Sequence, residues 1–223
     1  DRPPPRKNWK KEQFVTPVED QGDDCKASWA FSTIGAIESN FAIKHGKDKL
    51  FILSAQNLID CTNVYGNDSC LGGRPQDALH YVYEEGIMNE DDYPYEGLDR
   101  PCEYDQSKSI TNLSKYRRIP SGKEEKLKKV VGLRGPVVVS IHATEKFSFY
   151  NNGIFYDKSC TSVSSNLNYS VLVVGYDDID DKKYWILKNS MGTKWGINGY
   201  MYLARNKKNH CGIATDAFLP VLP

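Results

Sequence analysis

The feature that most constrains this chain is a change of hydrophobic period near its middle. From Ser28 the apolar residues Ala30, Ile34, Ile37 and Phe41 recur at steps of four, three and four, the stripe of an amphipathic helix that Gly46 can end. Ser54 precedes a second helical stretch through Leu58, and Pro75 fits the first turn of a third, which Gly86 closes. Ser121 with Glu124 makes a capping-box pattern ahead of Leu127, Val130 and Val131. Beyond it, 136–141, 170–176, 183–187 and 200–203 read as β-strands, separated by turn-rich stretches at 151–153 and 177–181. An α+β class follows, with a helical first half and a β-rich second half.

The 223 residues suit one domain or two small ones, with enough chain for a sizeable core. Lys and Arg total 29, as do Asp and Glu, so the net charge gives no reason to expect nucleic acid or an anionic membrane as partner. No apolar run approaches the ~18 residues of a transmembrane helix, and none resembles the core of a signal peptide. The Pro-rich opening, Arg2-Pro3-Pro4-Pro5-Arg6, reads as that of a processed mature form or a trimmed chain.

Six cysteines are present: Cys25, Cys61, Cys70, Cys102, Cys160 and Cys211. Their even number is compatible with disulfides but leaves the pairing open. None of their spacings is the short one of a zinc knuckle, so no metal and no cofactor are expected. Asn67, Asn112 and Asn168 each begin a glycosylation acceptor pattern. Together these features favour an oxidising compartment, as for a secreted glycoprotein.

Functional residues are suggested by a series of motifs. They include Thr16-Pro17-Val18-Glu19-Asp20-Gln21-Gly22, Ser28-Trp29-Ala30-Phe31-Ser32 and Leu53-Ser54-Ala55-Gln56-Asn57-Leu58-Ile59-Asp60-Cys61. Cys70-Leu71-Gly72-Gly73, Asp92-Tyr93-Pro94-Tyr95, Tyr184-Trp185-Ile186-Leu187-Lys188-Asn189-Ser190 and Asn209-His210-Cys211-Gly212-Ile213-Ala214 follow. In this order, and over nearly the whole chain, the series resembles papain-like cysteine proteases, the cathepsin L/S/K branch most of all. The resemblance implies one papain-like unit over 1–223. Within it a helical left subdomain covers about 12–113 and a β-barrel-like right subdomain about 114–210, with crossing termini and a cleft between them. It also implies the pairs Cys25–Cys70, Cys61–Cys102 and Cys160–Cys211, which leave no free thiol.

The same resemblance places Ser28 where the family has its nucleophilic cysteine, and Tyr169 where it has its histidine. Gln21 and Asn189 match the oxyanion and orienting residues, while Met191 stands for a tryptophan. Asp24 reads as an extra residue and Lys26-Ala27 replaces Gly-Ser, so the oxyanion loop is expected to be displaced. A serine hydroxyl needs a base, and a phenol with a reference pKa of ~10 is a poor one. His45, His80, His142 and His210 read as surface or structural residues, and Lys26 need not face Ser28. No catalytic residue is therefore expected to be active.

The implied cleft needs no catalysis to bind. Gly72 and Gly73 match residues whose backbone pairs with an extended peptide; the alternative is that they only serve the turn after Cys70. The resemblance lines the main pocket with Pro75, Ser140, Leu167, Ser170 and Asp216, with Asp216 favouring a basic group and Arg74 at the rim able to block or pair with it. The expected function is that of a non-catalytic homologue binding a peptide, protein or small molecule in the cleft, or serving a structural or storage role. It is placed outside the cell or in a lysosomal-type vesicle. The alternatives are a serine-nucleophile hydrolase or silicatein-like condensing enzyme, and a cysteine endopeptidase with an engineered Cys-to-Ser change. Glycans are expected at Asn67 or Asn112, which fall in predicted loops, and not at Asn168, which lies in the cleft.

Overall fold

A computed structural model describes all 223 residues. The chain first lays a short strand, β1 (Lys7–Asn8), then forms helices α1 (Ser28–His45), α2 (Ala55–Cys61) and α3 (Pro75–Glu84). The local signals for these helices are realised. Ser54 caps α2 by accepting from the Asn57 amide at 2.9 Å, and Pro75 occupies the first turn of α3, where its missing N–H is not needed. Gly46 ends α1 at φ 113°, a backbone region that suits glycine.

One expectation for α1 fails: it is not amphipathic. Every residue from Ser28 to Asn40 is buried, because the helix runs through the middle of the molecule. Three of its polar side chains bond back onto the helix itself. Ser32 donates to the Ser28 carbonyl at 2.7 Å, Thr33 to that of Trp29 at 2.6 Å, and Asn40 to that of Ala36 at 2.8 Å.

The second half supplies β2 (Lys115–Arg118), α4 (Glu124–Leu133), β3 (Val137–Ile141), α5 (Glu145–Ser148) and β4 (Ile154–Phe155). It continues with β5 (Tyr169–Ile179), β6 (Lys182–Lys188), β7 (Tyr200–Ala204) and β8 (Asp216–Val221). The strand order is β2-β8-β3-β5-β6-β7-β4, with β1 added on β5. The two ends of this path do not pair, so the sheet is open and not closed into the barrel expected of the right half.

Alternation along the central strands divides the core in two. Val138, Leu172, Val174, Tyr184 and Ile186 point to the side of α1, α2 and α3. Val137, Val139, Val171, Val173, Trp185 and Leu187 point to a second cluster, with Leu127 and Val131 of α4 and Trp195. The sheet is thus buried on both faces, which is why its strands read as continuous apolar runs.

Two local readings are corrected. Ser121 does not cap α4; its hydroxyl donates to the Thr215 carbonyl at 2.7 Å. The buried Glu124 carboxylate instead accepts from Trp185 Nε1, Asn206 N and Asn209 N at 2.9, 2.9 and 3.1 Å. The stretch 177–181 is not all turn either. Strand β5 continues to Ile179, and only Asp180 and Asp181 form the reversal, at φ 50° and 63°.

The disulfides are Cys25–Cys70, Cys61–Cys102 and Cys160–Cys211, and no cysteine is free. Charge is divided unevenly. Residues 12–113 carry 7 of the 29 cationic side chains and 19 of the 29 acidic ones, a balance of −12, leaving 22 against 10 elsewhere, +12. No helix is long and apolar enough to cross a membrane.

Candidate functional site

The N-terminal end of α1 meets β5 at the mouth of a cavity of about 620 Å³. Its lining includes Gln21, Lys26, Ser28, Trp29, Gly72, Gly73 and Arg74 from the first half of the chain, and Ser140, Leu167, Asn168, Tyr169, Ser170 and Asp216 from the second. The expected site residues thus converge, with two exceptions. Asn189 is buried, bonded to Tyr169, and does not line the cavity. Pro75 is buried as the first residue of α3 and does not line the cavity.

Ser28 opens α1 and is 7% exposed. Its hydroxyl oxygen accepts from the Ser170 amide at 3.1 Å, linking α1 to β5. No imidazole, carboxylate or amine accepts its proton. Lys26 lines the same cavity but makes no side-chain bond to Ser28. The loop before Ser28 is held by the Cys25–Cys70 disulfide and by a bond from Lys26 N to the Cys70 carbonyl at 2.9 Å.

Tyr169, the first residue of β5, packs its ring against Phe147 and donates its hydroxyl to Asn189 Oδ1 at 2.8 Å. Burial pushes this phenol up to about 12, so it stays protonated across the neutral range. Gln21 Oε1 accepts from Ser190 Oγ at 2.7 Å, and its Nε2 reaches the Cys25 carbonyl at 3.4 Å. Both ends of the Gln21 amide therefore have partners within the protein. Asn189 Nδ2 is buried without an acceptor, and Met191 packs against the second core cluster. The side chains bonded to Ser28 and Tyr169 include no imidazole, carboxylate or amine.

None of the four histidines lines the cavity. His80 pairs with Tyr116 Oη at 3.0 Å, His142 Nδ1 accepts from Thr161 N at 2.9 Å, and His45 packs at a tilt against Phe41. His210 Nε2 accepts from Asp157 N at 3.0 Å and lies 3.6 Å from Cys160 Sγ. That sulfur is bonded to Cys211, so it is neither a thiol nor a thiolate and the pair lacks a nucleophile. For the same reason Cys160, His210 and Cys211, though close together, do not offer two thiolates to a metal.

The groups expected to face a peptide keep unpaired backbone atoms at Gly73. The N–H and C=O of Gly73 make no hydrogen bond within the chain, while the Gly72 carbonyl accepts from Asp68 N at 2.8 Å. A Cβ on Gly73 would lie 2.6 Å from the Trp29 ring, so close packing on α1 demands glycine there. Arg74 lines the cavity but does not pair with Asp216; it forms a two-pronged bond to Asp77, at 2.9 and 3.2 Å. Asp216 instead faces Arg118 at 3.4 Å. Arg118 was not foreseen, because the pairing of β2 with β8 that brings it there leaves no motif in the sequence.

One of the three sequons falls differently from expectation. Asn67 is not in a reachable loop: it is 5% exposed, its Nδ2 donates to Thr62 Oγ1 at 3.0 Å, and its Oδ1 accepts from Arg74 N at 2.7 Å. Asn112 is exposed. Asn168 borders the cleft with its amide bonded both ways to the Ala143 backbone, at 2.8 and 3.0 Å.

A family model described as "Papain family cysteine protease" matches residues 3–221. Cathepsin S of Mus musculus is 44% identical over 217 residues, covering 96% of this chain and 62% of the relative. Cathepsin S of Bos taurus is 45% identical over 220 residues, covering 97% and 65%. A cathepsin L-like peptidase of Aedes aegypti is 44% identical over 218 residues, covering 96% and 63%. The chain thus spans somewhat less than two thirds of the length of these curated relatives. Among solved structures, digestive procathepsin L 3 of Tenebrio molitor larval midgut superposes with a TM-score of 0.94 at 46% identity, covering all of this chain and 71% of that one. Procathepsin L2 from the same tissue gives 0.95 at 39% identity, covering 100% and 69%.

Proposed function

Since the chain belongs to the papain family of cysteine proteases, in its cathepsin L/S-type part, we propose that Ser28 and Tyr169 stand at the two positions where that family does its chemistry and that the chain is a non-catalytic member that binds a peptide in its cleft. The observation that carries this reading is the bond from Tyr169 to Asn189. A phenol that donates its proton to an amide oxygen does not accept one from Ser28, whose own oxygen is engaged by the Ser170 amide. Binding is supported by the free backbone groups of Gly73 at the cavity wall. A basic side chain entering beside Asp216 has to compete with Arg118. Three disulfides support an oxidising compartment, extracellular or lysosomal-type.

The test is turnover of dibasic and hydrophobic fluorogenic peptides by the unmodified protein, Ser28→Cys, and the Ser28→Cys/Tyr169→His double variant. The unmodified protein should be inactive. Because the members of a catalytic unit act together, Ser28→Cys alone should restore little. Turnover by the unmodified protein that Ser28→Ala abolishes would favour a serine hydrolase. Full recovery in Ser28→Cys alone would point to a peptidase inactivated by one change.

A further inference from the structure

A second cavity, away from the cleft, lies where the C-terminal ends of α1 and α4 approach β2 and β8. Its volume is about 400 Å³, within the range of small-ligand sites. Ile43, Ile119, Val130, Leu219 and Leu222 give it an apolar floor. Around that floor stand Lys44, Arg117, Arg118 and Arg134, and no carboxylate lines it.

The cations are poorly matched within the protein. Arg118 faces Asp216 at 3.4 Å, and Lys44 Nζ donates to the Leu222 carbonyl at 2.9 Å. Neither Arg117 nor Arg134 forms a salt bridge. Lys44 and Arg134 also stand where a helix end favours positive charge, and basic residues on the edge strand β2 discourage pairing with another chain. Neither effect accounts for an apolar floor enclosed by cations.

We propose that this cavity binds a free amphipathic anion, a molecule with one phosphate or carboxylate head and an unbranched apolar tail. The head meets the guanidinium groups of Arg117 and Arg134, whose planar forks suit such oxygens. The tail covers Ile43, Val130 and Leu222, removing apolar surface from water. The excess of positive charge outside residues 12–113 draws an anion to this side of the molecule.

Calorimetric titration of the full chain with decyl phosphate, inorganic phosphate and decanol tests the proposal. Decyl phosphate should saturate one site per chain, with the other two at least about tenfold weaker because each lacks half of the recognised chemistry. Arg117→Glu/Arg134→Glu should weaken decyl phosphate by at least a further factor of about ten. Equal binding of inorganic phosphate, or unchanged affinity in the double variant, would overturn it. If that variant does not fold, a photoreactive decyl phosphate on the unmodified protein should label peptides from α1, α4 or β8; labelling of the cleft would count against the site. Binding confined to phosphatidic acid vesicles, with none to the free amphiphile, would replace a free ligand with a membrane surface and end the proposal.

Discussion

At the scale of the residue, Ser28 has a structural role. It stands at the start of α1 and accepts from a buried backbone amide of β5, so it joins the two halves of the molecule directly. Ser28→Ala leaves the Ser170 N–H buried without an acceptor, which costs about 1–3 kcal/mol. Urea unfolding should show that loss as a lower midpoint at unchanged slope; a change under about 0.3 kcal/mol would mean that the amide finds another partner. Ser28 and Tyr169 stood out in the sequence because the resemblance singles out their positions. Their hydrogen bonds were not, since the partners Ser170 and Asn189 are placed by strand register. Asn67 shows the opposite limit: its sequon is purely local, while its burial is decided by contacts with Thr62 and Arg74.

At the scale of elements, α1 and β6 are coupled through a buried chain of polar groups. Lys188 Nζ donates to Thr16 Oγ1 at 2.9 Å, Thr16 donates to Glu38 Oε1 at 2.7 Å, and the Leu53 amide donates to Glu38 Oε2 at 2.8 Å. Burial pushes Glu38 and Glu19 each up to about 7 against an ordinary 4.5, with Lys188 opposing both shifts and Glu90 adding to that of Glu19. The folded protein therefore holds protons that the unfolded chain releases. Their contribution to stability is fully present below about 4.5 and is lost as pH rises through about 7. The melting temperature should fall between pH 5 and pH 8, and Glu38→Gln should flatten that slope; a melting temperature that rises over the interval would refute the assignment.

Elements differed in how well the sequence announced them. Helices α1, α2 and α3 carry their own stripes, caps and breakers, so they could be read locally. Strand β2, Lys-Tyr-Arg-Arg, is a mostly exposed edge without apolar alternation, and β8 contains Pro220; both escaped notice. The false capping box failed because Glu124 is claimed by Trp185, Asn206 and Asn209, all more than 60 residues away.

At the scale of the whole molecule, the order of motifs conveyed the architecture and the pairing of all six cysteines, but not whether the sheet closes. Nor did the overall charge reveal its distribution. A balance of −12 over residues 12–113 against +12 elsewhere should give this neutral protein a permanent electric dipole. Such a molecule should adsorb, differently oriented, to both anion- and cation-exchange resins at low salt and pH 7, and elute from both as screening shortens the reach of its charges. Passage through both columns unretained would show that the opposite charges are too interleaved at the surface to act as poles. If it is retained, concentrated solutions at low ionic strength should scatter light as though copies attract one another end to end, and modest salt should disperse them.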